Sequence, residues 1–138
     1  MSIVCFYWIC SIYSYKPEPI FYGNDSSLFI GVELELDDGG NDRGNARELT
    51  NVANAEDEYI YIKSDGSLDD GFEIVTHPMT LQFHKERMPW RELTSAALQL
   101  GYVSHKACTC GLHCHILLTD ISENKTAFMD GLEAKQFL

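Results

Sequence analysis

Nine residues of this chain, "LFIGVELEL" from Leu28 to Leu36, constrain its fold more than any other stretch. Ile30, Val32, Leu34 and Leu36 alternate with Gly31, Glu33 and Glu35. Side chains along a strand point to opposite faces in turn, so this pattern predicts a β-strand with one apolar face and one acidic face. A second strand repeats the division. In "GLHCHI", residues 111–116, His113 and His115 share one side while Leu112, Cys114 and Ile116 share the other. A chain with such strands needs helices over the greasy side, and the polar side then stays open for chemistry.

The remaining elements follow from punctuation and periodicity. Pro17 and Pro19 in "KPEP" force an extended connection ahead of the acidic strand. "DDGGNDRGN" reads as a loop, after which Asn45 is placed to cap a helix through "ARELTNVANA" that faces Leu49, Val52 and Ala53 inward. "EYIYIK" and "GFEIVTHP" read as two short strands joined by "SDGSLDD", whose Asp65-Gly66 pair is a strong turn signal. Past Pro78, "TLQFHKERM" reads as one helical piece. Pro89 opens another, in which Trp90, Leu93, Ala97 and Leu100 recur at helical spacing until Gly101 ends it. "ENKTAFMDGLEAKQFL" is expected to be a last helix, with Phe128 and Leu132 four apart. The order strand, helix, strand, strand, helix, strand, helix is an α+β pattern: a mostly antiparallel sheet with helices on one face.

Length and charge narrow the function. At 138 residues, 45% of them hydrophobic, the chain suits one domain with a core. Ten basic against 21 acidic side chains leave a net charge of −11, which repels nucleic-acid backbones and implies that a phosphate ligand arrives with a metal ion. Five cysteines, Cys5, Cys10, Cys108, Cys110 and Cys114, form no regular framework, so reduced thiols or metal ligands in a cytoplasmic setting are expected in place of a secreted disulfide scaffold. The apolar opening "MSIVCFYWICSIY" lacks a basic region and a cleavage site and is far short of the roughly 20 residues of a membrane span. Residues 1–12 are therefore set apart as a segment of uncertain role, an edge strand or an abnormal start, with no membrane partner expected.

On the polar face the sequence would collect Glu33 and Glu35 from one strand, Glu73 from another, and His113 and His115 from a third. Each alone has an ordinary reading, since alternating glutamate is how an antiparallel sheet faces water and paired histidines sit in satisfied polar clusters. Together they suit a divalent cation. Carboxylates favour Mg²⁺ or Mn²⁺, and imidazole tilts the choice toward Mn²⁺ or Zn²⁺.

The segments "FIGVELEL", "YIKSDGSLDDGFEIVTHPMTL" and "CGLHCHI", in that order, resemble the amidoligase family of carboxylate-amine ligases, often phage-associated, and "YSYKPEPIFYG" matches a lead-in of some members. The resemblance spans about residues 13 to 118 and implies a domain over 13–138 with a glutamine synthetase-like and glutamate-cysteine ligase-like catalytic fold. It implies that ATP phosphorylates a small-molecule or peptide carboxylate, and that an amine then displaces phosphate to leave an amide or peptide bond. By motif, Glu33, Glu35, Glu73 and His113 would be catalytic and hold Mg²⁺ or Mn²⁺. Asp65, Ser67 and His115 would lie near the nucleotide or substrate. Family members continue past the histidine strand into an ExR-like segment with a further metal-binding acid and a phosphate-facing arginine. No such segment follows here, so the resemblance is to an N-terminal portion, expected to be truncated, inactive by itself and self-associating through an exposed sheet edge.

A rival reading comes from "CTCGLHCHI", which sets Cys108, Cys110, His113, Cys114 and His115 within eight residues. These are zinc ligands, although structural zinc sites space their pairs by two to four residues and draw on two elements. A noncatalytic remnant acting as an interaction protein is the third class.

Overall fold

The computed structural model describes residues 16–24 and 28–118. Strands β1 (Leu28–Leu36), β2 (Ile60–Lys63), β3 (Phe72–Thr76) and β4 (Leu112–Leu118) form one sheet in the order β2-β3-β1-β4, with every pairing antiparallel. Helices α1 (Arg43–Ala53), α2 (Leu81–Glu86) and α3 (Trp90–Gln99) complete an α+β architecture, with a single 3₁₀ turn at His105–Ala107 before β4. The expected N-terminal edge strand, Cys5 and Cys10, and the expected C-terminal helix lie outside the described residues. Among the described residues, no helix is long and apolar enough to cross a membrane.

The helix-packed core is built on the even-numbered residues of β2 and β3 and on the end of β1. Leu36, Ile60, Ile62, Phe72 and Ile74 pack with Ala46, Leu49 and Ala53 of α1 and with Leu93 and Ala97 of α3. Burying an aliphatic or aromatic side chain of this size is worth about 1.5–3 kcal/mol, so this layer supplies the main drive for folding. The helix inner faces follow the 3.6-residue period with two adjustments. Ala46, not Val52, joins Leu49 and Ala53 at the fully buried positions, and Leu100 caps α3 half-buried.

The cap of α1 also differs from the sequence reading. Asp42, not Asn45, is the N-cap: its Oδ1 accepts the Asn45 N–H at 2.8 Å. The helix starts three residues earlier than its apolar stripe suggests, and the stronger acceptor sits where an N-terminal amide needs one. At the other end Asn54 ties α1 to β2. Its Oδ1 accepts the N–H groups of Tyr59 and Ile60, and its Nδ2 donates to Ile60 O, all at 2.9 Å.

Residues 16–24 cross the β3 end of the sheet as a strap. Tyr22 N–H donates to Pro78 O and Thr80 N–H to Tyr22 O, both at 3.0 Å, while Ile20 N–H donates to His77 Nδ1 at 3.2 Å. The extended connection expected from Pro17 and Pro19 is this segment. β3 itself is buried on both faces.

Candidate functional site

The odd-numbered face carries the polar residues, in rows fixed by strand register. Lys63 pairs with Glu73, and Glu73 with Glu35, across three strands. In the next row Tyr61 meets Val75, Val75 meets Glu33, and Glu33 meets His113; beyond it Gly31 faces His115. Glu33, Glu35, Glu73, His113 and His115 thus share one face of one sheet. Period-2 alternation puts them there, because each lies opposite an apolar neighbour in its own strand.

Within the face the side chains form two adjoining groups. Glu35, Asp65 and Glu73 each place a carboxylate oxygen within 4.8 Å of the others. Glu33 holds the imidazoles: His115 Nε2 stands 3.1 Å and His113 Nδ1 3.5 Å from Glu33 Oε2. The His115 contact is close without the alignment of a hydrogen bond. His113 Nδ1 is also 3.9 Å from Glu35 Oε1, which links the groups. Burial pushes the Glu33 pKa up, but His115, Lys63 and His113 outweigh it and hold the carboxyl below its usual range.

Two loops aim the acidic group, and both hang on Asp37, just past the end of β1. Its Oδ1 accepts the Asp70 N–H at 2.7 Å and its Oδ2 the Asp69 N–H at 3.1 Å, which fixes the loop carrying Asp65. Thr109 Oγ1 donates to Asp37 Oδ2 at 2.6 Å, and Asp37 and Val103 exchange backbone hydrogen bonds, which fixes the loop leading into β4. Burial alone would raise the pKa of Asp37. The Thr109 hydroxyl and the N–H groups of Asp70, Asp69 and Asp38 reverse this and bring it down to about 2. Asp65 Oδ1 in turn accepts the Ser67 N–H at 2.8 Å, so Ser67, itself exposed, belongs to the turn that aims Asp65.

Glu35 is held by the backbone of the β4 lead-in: Gly111 N–H donates to its Oε2, and its own N–H donates to Gly111 O at 3.2 Å. A Cβ at residue 111 would lie 3.0 Å from His113 Nε2 and 3.3 Å from Glu35 Oε2, so glycine keeps the space between the two groups open.

Lys63, Asp37 and Gly111 were not singled out from sequence. Lys63 carried a faint signal, since "EYIYIK" alternates and puts it on the polar side; its pairing with Glu73 appears only with the register. The cysteines behave differently from the histidines. Cys114 pairs with Val32 on the opposite face, and the metal-capable group found among the described residues contains no cysteine.

The donor set fits an oxygen-preferring divalent cation. Four carboxylates, Glu33, Glu35, Asp65 and Glu73, converge with two imidazoles and one ammonium, and Glu35 and Glu73, buried side by side across strands, are the like-charge arrangement that a cation relieves. No family model, curated protein or solved structure matches the chain.

Proposed function

We propose that this face is the metal- and nucleotide-binding surface of an ATP-dependent carboxylate-amine ligase, using Mg²⁺ or Mn²⁺ and joining a small-molecule or peptide carboxylate to an amine. The observation that supports it is the convergence of the motif residues: three strands place Glu33, Glu35, Glu73, His113 and His115 on one face, and the "SDGSL" loop brings Asp65 to them. Glu35, Asp65 and Glu73 are the seat for the cation, with Glu33 and His113 beside it. When bound, the cation supplies the charge that polyphosphate oxygens need during phosphoryl transfer.

The chain's own residues prepare that surface. The Gly111 N–H fixes the Glu35 carboxylate in one orientation, Asp37 fixes the loop that carries Asp65, and His113, its side chain 55% exposed, faces an incoming ligand. Positioning of this kind is the larger part of what phosphoryl transfer asks of a protein.

Calorimetry with Mn²⁺ and a nonhydrolysable ATP analogue tests the reading. The analogue is expected to bind only with Mn²⁺ present, and Glu35→Gln to weaken it by roughly tenfold or more, the size of one lost charge-assisted contact. Analogue binding indifferent to Mn²⁺ and to Glu35→Gln would defeat the proposal. Stoichiometric Zn²⁺ that survives Glu33→Ala and is lost on Cys108→Ala or Cys110→Ala would transfer the case to a structural zinc module.

A further inference from the structure

Lys63 stands where the acidic group most needs positive charge. Its Nζ lies 2.5 Å from Glu73 Oε1 and 3.9 Å from Glu33 Oε1, and its side chain is 15% exposed. Glu35 and Glu73 are 7% and 5% exposed, and they face each other across β1 and β3. Two buried carboxylates in that relation destabilise a sheet unless each has a partner. Glu35 has the Gly111 N–H; Glu73 has Lys63.

We infer that Lys63 is the resident counter-ion of this site: a divalent cation entering among Glu35, Asp65 and Glu73 takes Glu73 from it, and the released ammonium then pairs with the ligand's phosphate oxygens. This rests on the cation-binding reading above and adds an order to it, metal before phosphate.

The exchange follows from size and charge. A cation of this class sits about 2.0–2.2 Å from its oxygens, and an ammonium on the same carboxylate would stand within a few ångströms of it, like charge against like. The strand fixes Glu73, whereas the ammonium rides on a flexible four-carbon stem, so the lysine is the partner that moves. Glu33, already 3.9 Å away, keeps it on the same face. There it meets the phosphate that binds after the metal.

A structural lysine would lose both abilities together when replaced. A resident counter-ion predicts changes of opposite sign. Titrating wild type and Lys63→Met with Mn²⁺ alone is expected to show roughly tenfold tighter metal binding in the variant, because the competitor is gone. Titrating the Mn²⁺-loaded proteins with inorganic triphosphate is expected to show roughly tenfold weaker binding in the variant, because one phosphate-facing charge is gone. Metal affinity that is unchanged or weaker in Lys63→Met, or triphosphate binding that is unchanged, overturns the inference and leaves the proposed function standing. Failure of wild type and variant alike to bind Mn²⁺ removes both.

Should Lys63→Met not fold, the wild type still decides the matter. Nitrogen-detected NMR of the lysine ammonium groups during a Mg²⁺ titration is expected to move the Lys63 signal in step with metal saturation, and a signal that stays put while Mg²⁺ binds overturns the inference.

Discussion

Asp37 organises the site without belonging to the metal-capable group. Its carboxylate accepts from Asp38, Asp69, Asp70 and Thr109, so one side chain ties the end of β1 to both loops that frame the acidic group. Asp37→Ala should cost about 2 kcal/mol in urea denaturation, from donors left unsatisfied inside the fold. The same residue gives stability a pH dependence of known sign. Its folded pKa, about 2, lies below the ordinary 3.8, so its contribution is fully present above about pH 4 and is lost as pH falls toward 2. A wild-type stability profile over that range should slope downward with acid, and the Asp37→Ala profile should be flatter by that contribution; parallel profiles would remove Asp37 from this role. Sequence could not show this, because "DDGG" reads as a solvated turn and its partners lie about thirty and seventy positions away.

Elements were more legible than residues, for a physical reason. A period of two or of 3.6 is a local property, and by itself it locates β1, β4, the β2–β3 hairpin and most of the inner faces of α1 and α3. The same alternation put the two glutamates and two histidines on faces that pairing then made one. Register and loop paths are not local. They decided that Lys63 meets Glu73, that Asp65 reaches Glu35, and that Gly71 passes directly beneath β1. A Cβ at Gly71 would press onto the Leu36 carbonyl oxygen and come 2.8 Å from Asp37 Cα, and backbone cannot turn aside as a side chain can. Gly71→Ala should therefore destabilise by roughly 3 kcal/mol or more and loosen the hairpin that presents Asp65, read as a lowered melting temperature. An alanine variant that melts with wild type would show that the hairpin has more freedom than this packing allows.

At the scale of the molecule, charge and apolar surface pull in opposite directions. The chain carries a net charge of −11, which keeps copies apart, yet β4, at the edge of the described sheet, offers Leu112 and Ile116 at 62% and 56% exposure beside an exposed Cys114. The helix-packed core takes in the even-numbered residues of β2 and β3 and only Leu34 and Leu36 of β1, and it leaves this strip of β4 bare among the described residues. The strip has no lysine, arginine, aspartate or glutamate between Leu112 and Leu118, so it is also where repulsion between copies is weakest. An edge strand with unpaired backbone groups and apolar side chains is a template for a second copy. Two β4 strands paired antiparallel about His115 would set Cys114 against Ile116, apolar against apolar. Salt should therefore promote self-association: raising ionic strength from about 0.01 M to 0.1 M shortens the screening length from about 30 Å to 10 Å and weakens the long-range repulsion without touching the apolar strip. Sedimentation velocity across that range should show a growing dimer or larger species. Ile116→Lys should suppress it while leaving the circular dichroism spectrum unchanged, since the side chain replaced is more than half exposed. Association that falls with salt, or that persists undiminished in Ile116→Lys, would place the contact on another surface.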